Sequence, residues 1–357
     1  MNTIAFNKKI ALSALFALSC YTAAYASDSH INKSMQTSTF GGSITGLLLQ
    51  PYANNLQYAV YTTPLPLPAP NWYAQTVKPS YRASFDLELD YHFANGTDQI
   101  ALDWLDFRSN SNAQFAATEP NTSVGPTYYF GPAEQFLLNT SASSSVKFIV
   151  DDVNLVAKHL VTISQPIQIE PFLGVDAAYL KENTTNNYAG SDPVYGPYTH
   201  STYIKSKFTG FGPRIGLDAR YFASSNYGVN ASMASSILVG SLATSTDFNS
   251  WTGFTGGPVQ FNNTPVNTTL SKQSQTSIVP KVDAKIGLFY TKPLHSGNSI
   301  TAQAGYMFTA YINAINQVLP STLVPGAWEG GTVAIINQAQ QQSNLSLNGP
   351  YLTLAWK

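Results

Sequence analysis

The chain has 357 residues and a formal net charge of −1, and charged residues make up only 10% of it, against about 25% in an ordinary soluble domain. There is therefore no basic excess for binding nucleic acid, and a hydrophobic share of 44% argues against a disordered chain. Mean hydropathy is −0.07, and beyond the N-terminus no apolar run is long enough for a membrane helix. With aromatic residues at 13%, this composition favours a β-protein with one face in lipid and one in water.

The N-terminus has the features of an export signal. A basic segment, an apolar segment and a small-x-small cleavage motif follow one another, at Lys8-Lys9, 10–18 and Ala24-Tyr25-Ala26. We therefore predict a cleaved signal peptide at 1–26 and a periplasmic segment at 27–42. A lipoprotein signal at Cys20 is the weaker alternative, because Leu18 stands one position too near the cysteine. Cleavage removes Cys20, the only cysteine, and leaves no disulfide and no thiolate.

The clearest strand pattern lies at 81–93, where apolar and polar side chains alternate over a dozen residues. This length suits a tilted strand that crosses a bilayer. The pattern repeats at 204–222 and 274–291. The predicted lipid-facing residues are Phe85, Leu87, Leu89, Ile286 and Leu288. The predicted lumen-lining charges are Asp86, Glu88, Asp90, Arg214, Asp218, Arg220, Lys281, Asp283 and Lys285.

Ten strands are predicted in all, at 43–50, 81–93, 98–109, 146–161, 167–181, 204–222, 227–241, 274–291, 299–313 and 343–357. Short links with turn residues alternate with long polar links at 51–80, 110–145, 182–203, 242–273 and 314–342. This alternation predicts an all-β fold, a closed antiparallel transmembrane β-barrel over 43–357 with short periplasmic turns and long extracellular loops. A soluble β-sandwich is the alternative, but its strands are shorter and its long loops need not fall at every second connection.

Two of the ten strands have an irregular pattern. Leu105 and Phe107 fall on the opposite face from Leu102 and Trp104, and the apolar face of 146–161 changes at Asp151-Asp152. A β-bulge, which inserts one residue and reverses the faces, is the predicted cause in each strand.

The C-terminus resembles the signal that the barrel-assembly machinery reads, which is a glycine, then alternating apolar residues, then an aromatic residue. The matching residues are Gly349, Tyr351, Leu352, Leu354 and Trp356. The chain ends with Lys357, so the aromatic residue is penultimate.

Three stretches resemble the Legionella-type major outer membrane protein family: Leu48-Leu49-Gln50-Pro51 with the following 54–64, Gly210-Phe211-Gly212-Pro213-Arg214 with the following 215–221, and Asn348-Gly349-Pro350-Tyr351-Leu352. The resemblance covers most of the mature chain. It implies a porin-like protein of the bacterial outer membrane, exposed at the cell surface, and it brings no catalytic residues. The chain differs in lacking cysteines after cleavage, whereas the best-known member is disulfide cross-linked.

Two pairs of residues are candidates for chemistry. Asp90-x-His92 resembles the Asp-His pair of the omptin proteases, which are also ten-stranded barrels, and could polarise a water. The strand order places it near the periplasmic turns, so we favour a structural charge network. Asp151-Asp152 could bind a cation, but adjacent strand residues point to opposite faces. We predict no catalytic residue, metal site or cofactor.

The predicted function is passive diffusion of small polar solutes across the outer membrane. Acidic residues at 81–93 and basic residues at 204–222 and 274–291 lie on roughly opposite walls of a ten-stranded ring, as at a porin constriction. The alternative is a narrow barrel closed by salt bridges, whose loops serve adhesion or recognition, because ten strands are nearer to the filled size than to the channel size. The expected partners are outer-membrane lipid, the barrel-assembly machinery and small polar solutes, and a homo-oligomer remains open.

Overall fold

The computed structural model describes residues 38–63, 71–118, 122–127, 139–192, 196–252, 266–294, 298–324 and 334–357, and they form a single antiparallel sheet. No helix among these residues is long and apolar enough to cross a membrane. Within the described ranges, ten long strands are β1 (Thr39–Ala53), β4 (Arg82–His92), β5 (Asp98–Ala116), β7 (Asn139–His159), β9 (Ile167–Asp192), β10 (Gly196–Phe222), β11 (Tyr227–Thr252), β12 (Val266–Pro293), β13 (Ser299–Val324) and β14 (Ala334–Trp356). Four short ones are β2 (Gln57–Thr63), β3 (Asn71–Thr76), β6 (Ser123–Pro126) and β8 (Val161–Ser164).

The ten long strands form a closed ring. Their order is β7-β5-β4-β1-β14-β13-β12-β11-β10-β9, and β9 pairs with β7 again. The first and last strands are joined from Gly42↔Trp356 to Ala53↔Leu345. The predicted all-β barrel of about ten antiparallel strands is thus confirmed. The short strands β2, β3 and β6 form a side branch next to β7, and β8 extends the turn before β9.

The outer face carries a belt of exposed apolar residues. On β10 it runs from Tyr221 through Leu217 and Ile215 to Phe211. Ten residue steps at about 3.3 Å, tilted by about 40°, give a belt about 25 Å tall, which matches the apolar height of a membrane barrel. Phe85 and Leu89 on β4 and Ile286 and Leu288 on β12 are exposed on the same surface, and Leu87 is half-exposed on it.

The long strands extend well beyond this belt. The sequence pattern predicts 167–181 and 204–222, whereas β9 and β10 reach Asp192 and Gly196, with only 193–195 between them. Much of the predicted loop at 182–203 is therefore a paired polar hairpin. Apolar alternation could not reveal it, because both faces of the hairpin carry serine, threonine and asparagine.

The predicted bulges in β5 and β7 are wrong. The pairing of β5 with β4 and with β7 is continuous, and β7 pairs with β9 without a shift from Ser141 to Lys158. Phe107 is inward and fully buried because the barrel interior changes from polar to apolar at this height. Likewise Asp152 is buried inside, while Asp151 is outward and contacts Arg108 at 2.7 Å.

The N-terminal region is only partly described. The structure begins at residue 38, and β1 starts at Thr39, four residues before the predicted strand at 43. The signal peptide at 1–26 and most of the segment at 27–42 lie outside the described residues, so both stay predictions.

The turn between β4 and β5 shows why the strand reverses at one end. Gly96 has φ 74°, a left-handed conformation that glycine adopts without penalty. The Asn95 side-chain oxygen accepts hydrogen bonds from the backbone N–H groups of Thr97 and Asp98 at 3.1 and 3.0 Å. An asparagine–glycine pair with this chemistry closes a tight turn.

Leu87→Arg tests the outward assignment of β4. A charge at the middle of the apolar belt of a membrane barrel costs about 2–4 kcal/mol, so we expect a lower yield of heat-modifiable folded protein on gels. Glu88→Gln, on the inward face, is the matched control and should fold like the wild type. Equal yields for the two variants would contradict the assignment.

Epitope insertion tests the topology. An epitope at 190–192, where β9 ends, should be labelled by antibody on intact cells. The same epitope at 225–226, in the short turn between β10 and β11, should be labelled only after permeabilisation. Labelling at 225–226 on intact cells would reverse the predicted orientation.

Candidate functional site in the barrel interior

A cluster of five charged residues lies at mid-height inside the barrel. Lys281 Nζ contacts Asp152 Oδ1 at 2.8 Å, Asp176 Oδ2 at 2.9 Å and Asp283 Oδ2 at 3.4 Å. Arg214 Nη1 contacts Asp283 Oδ2 at 2.5 Å and Asp176 Oδ2 at 3.2 Å. The two cations therefore neutralise the charge of two of the three carboxylates. Lys281 and Asp176 are almost without solvent exposure, at 3% and 0% of their side chains.

A direct hydrogen bond crosses the whole interior at this height. Tyr311 on β13 donates its hydroxyl to Asp152 Oδ2 on β7 at 2.6 Å, and both residues are buried. These two strands are five places apart around the ten-stranded ring in either direction. They are therefore diametrically opposite, and their side chains meet at the centre. We call this set, Asp152, Asp176, Arg214, Lys281, Asp283 and Tyr311, the central cluster.

A more accessible charged group lies between the central cluster and the short turns, on the side that the topology predicts to be periplasmic. Lys285 Nζ contacts Asp86 Oδ2 at 2.9 Å, and Lys158 Nζ contacts Asp218 Oδ2 at 3.1 Å and Glu88 Oε2 at 3.5 Å. The side chains of Lys285 and Glu88 are 34% and 30% exposed. This end of the interior is thus a charged vestibule open to solvent.

Asp90 and His92 meet at the periplasmic end of β4. His92 Nε2 lies 2.7 Å from Asp90 Oδ1. Their partners on β1, Gly41 and Thr39, are at the start of the first strand, so the pair lies next to the short turns. The two side chains are in close contact at the rim of the vestibule, far from the extended outer end of the barrel.

An apolar layer fills the interior on the outer side of the central cluster. The largest buried side chains there include Phe107, Phe148 and Phe208. The connection between β1 and β4 adds to this layer, since Leu56, Tyr58 and Val77 are buried in the same group. Above the vestibule the barrel thus contains a packed core.

A polar group lies within this core toward the outer end. The Glu182 carboxylate accepts hydrogen bonds from Asn55 at 2.8 and 3.0 Å, from Thr184 at 2.9 Å and from Gln317 at 3.1 Å. Nearby, His200 stacks on Tyr188 with ring centroids 4.7 Å apart. His200 lies far beyond the apolar belt, and burial lowers its pKa to about 4, which keeps the ring neutral at pH 7.

The C-terminal residues lie on both faces of β14. Leu352, Leu354 and Trp356 are outward, and Gly349 and Tyr351 are inward. Tyr351 accepts a hydrogen bond from Asn230 at 3.2 Å. A Cβ atom at position 287 would lie 2.5 Å from the Tyr351 hydroxyl oxygen. The close packing of Tyr351 on Gly287 therefore requires glycine.

Most of the predicted interior charges meet within the barrel, but two lie at its rim. Asp86, Glu88, Asp218 and Lys285 form the vestibule, and Arg214, Lys281 and Asp283 belong to the central cluster. Asp90 lies beside His92 at the rim, and Arg220 is exposed there. Sequence reasoning missed Asp103, Lys158, Tyr311 and Glu182 as interior residues. Asp176 lies on the polar face of the alternating strand at 167–181, a signal that could have added it to the predicted lumen charges, whereas the predicted bulge obscured Asp152.

The sequence of the whole barrel matches one protein family. The family described as Legionella pneumophila major outer membrane protein precursor matches residues 34–357. The chain belongs to this family. It is therefore a protein of the bacterial outer membrane, and its ring of strands is an outer-membrane barrel. No curated protein sequence matches the chain significantly.

Solved barrels are similar only in general shape. The outer membrane protease OmpT of Escherichia coli has 8% identity and a TM-score of 0.39, with coverage of 92% of this chain and 98% of that one. The toluene transporter TodX of Pseudomonas putida has 8% identity and a TM-score of 0.32, with coverage of 90% and 89%. Scores this low support no argument about activity.

Lys281→Gln tests the central cluster. Removing this cation leaves buried carboxylates without their main partner, and breaking a buried ion pair costs about 3–5 kcal/mol. We expect a clear fall in the urea midpoint of unfolding in micelles. The control is Lys205→Gln, which removes an exposed pair with Asp247 at 2.9 Å and should cost about 0–1 kcal/mol. A midpoint in Lys281→Gln equal to that of the control would show that the cluster does not stabilise the barrel.

Proposed function

We propose that this protein is a closed outer-membrane barrel that holds tall polar hairpins at the cell surface for recognition or adhesion. The observation that carries the proposal is the Tyr311–Asp152 hydrogen bond, which joins opposite walls at the centre of the interior. A solute would have to break this contact and then pass the apolar layer around Phe107 and Phe208.

The outer part of the barrel supports a role at the surface. The strands β9 to β13 have 26, 27, 26, 28 and 26 residues, whereas about 9–11 residues suffice to cross a bilayer. About half of each strand therefore extends past the outer edge of the apolar belt. Strand pairing holds these extensions in a fixed shape, which suits presentation of a surface to a partner. The proposal assigns a catalytic role to no residue.

Passive diffusion of small polar solutes is the second candidate. The vestibule favours it, because Lys285, Glu88 and Asp218 give one half of the interior a charged and partly solvated lining. Conduction would require the central cluster to separate and the buried segment around Leu56 and Tyr58 to withdraw. The two candidates thus differ in whether the interior opens.

A planar-bilayer recording distinguishes the two candidates. The closed barrel predicts no stable conductance steps from wild-type protein whose folding and insertion are verified by heat-modifiable mobility and protease protection. A general porin in the same lipid serves as the positive control. Stable steps from the wild type, together with uptake of small sugars in a liposome-swelling assay, would establish the diffusion candidate and refute the closed barrel.

A further inference from the structure

Four lysines lie together on the outer surface just beyond the apolar belt. Lys147 on β7, Lys181 on β9, and Lys205 and Lys207 on β10 are outward and wholly or partly exposed. Lys181 and Lys207 are directly opposite in the β9–β10 register. Asn183 on β9 is paired with Lys147 on the neighbouring strand β7 and with Lys205 on the other neighbour, β10. We call these four residues the lysine patch.

The patch has too few negative partners. Like charges directly opposite on a sheet destabilise it. Lys205 is paired with Asp247 at 2.9 Å, but among the described residues no carboxylate comes within ion-pair distance of Lys147, Lys181 or Lys207. The nearest outward acid on β7, Asp151, is already held by Arg108 at 2.7 Å. Lys207 Nζ lies over the Tyr179 ring, 5.4 Å from its centroid, which offsets part of its charge. An external anion would balance the positive charge that remains on the patch.

The height of the patch identifies the environment of that anion. Phe211 ends the apolar belt on β10 at 67% exposure, and Lys207 lies four residues before it in the chain, toward the outer end of the strand. Four steps of about 3.3 Å on a strand tilted by about 40° place Lys207 roughly 10 Å beyond the belt. This is the depth of lipid headgroups, where basic side chains attract anionic lipid. The extended hairpins lie on the same side, so the leaflet concerned is the outer one.

A groove continues outward from the patch. It has a volume of about 690 Å³ and lies across β5, β7, β9 and β10. Its lining is partly polar, with Asn187, Thr199 and Ser201, and partly apolar, with Phe115 and Tyr188. Asn187 accepts a hydrogen bond from Ser201 at 2.7 Å. Hydroxyl and amide groups of this kind match the hydroxyl groups of a saccharide, which donate and accept hydrogen bonds in turn.

We propose that the lysine patch and this groove form a binding site for the phosphorylated saccharide headgroup of an outer-leaflet glycolipid. The phosphates contact Lys147, Lys181 and Lys207, and the sugar rings lie against the groove above them. The acyl chains pack on the apolar belt below, around Phe211. The site is on the outside of the barrel and is independent of whether the interior conducts.

Binding of bisphosphorylated lipid A by the folded full-length barrel in dodecyl maltoside micelles tests the proposal. The double variant Lys181→Gln/Lys207→Gln should bind about 30-fold more weakly, because each lysine near the surface contributes to attraction of anionic lipid. Lys292→Gln is the control, since Lys292 is an exposed residue at the opposite, periplasmic end of β12, and it should bind like the wild type. The wild-type affinity should also fall as salt is raised.

Further binding measurements distinguish the phosphorylated saccharide headgroup from other ligands. Dephosphorylated lipid A should bind as weakly to the wild type as lipid A binds to the double variant. Ser201→Trp, which fills the groove, should weaken binding of lipopolysaccharide that carries core sugars. The proposal is overturned if the double variant binds lipid A as well as the wild type does. It is also overturned if dephosphorylated lipid A binds equally well, or if inorganic phosphate alone stabilises the protein as much as lipid A does.

Discussion

The constraint on which the rest of this structure depends is the narrowness of a ring of ten strands. Rings of eight strands are filled by their own side chains, and only much larger ones leave a channel. In this barrel the hydroxyl of Tyr311 reaches Asp152 on the opposite wall. Inward side chains at mid-height therefore contact partners from other walls of the ring, as Lys281 and Tyr311 both contact Asp152.

The interior meets this constraint in two chemically different ways. From the short turns up to mid-height, charges of opposite sign are brought into contact, as for Lys285 with Asp86 and for Lys281 with Asp152. On the outer side, aromatic and aliphatic residues such as Phe148 and Phe208 pack together as in a soluble protein. Burial of charge is favourable only where partners and hydrogen bonds are complete. Ser236 and Asn154 donate such bonds to Asp176 Oδ2 and Asp152 Oδ1 at 2.6 and 3.0 Å, while Asp176 Oδ1 has no hydrogen-bond partner among the described residues.

The sequence predicted the ring itself because the lipid face and the inner face differ in polarity along each strand. Phe85, Leu89, Ile286 and Leu288 are outward, and Asp86 and Lys285 meet inside. The sequence-based prediction failed where the two faces of a strand do not differ in polarity in this way. Phe107 is apolar but inward, because the interior at its height is an apolar core and not a charged cluster. An apolar residue on the inner face gives the same sequence pattern as a bulge that reverses the two faces. The outer hairpin of β9 and β10 replaces much of the predicted loop at 182–203, and the pattern does not reveal it because neither of its faces is apolar. The sequence pattern does not predict which charged side chains form contacts. The distance between two inward side chains depends on the register and tilt of their strands, which alternation does not reveal.

The joining of β1 to β14 has a consequence for how the protein is made. Thr45 and Thr353 share a hydrogen bond of 2.8 Å across 308 positions of the chain. Contacts between such distant parts of a chain fold slowly, because the intervening segment must be ordered first. Until the last strand is in place, both β1 and β13 expose an unpaired edge that invites association with other chains. Nascent copies of this protein thus depend on being held apart during transit, and a chain shortened by one strand would leave a sheet that cannot close.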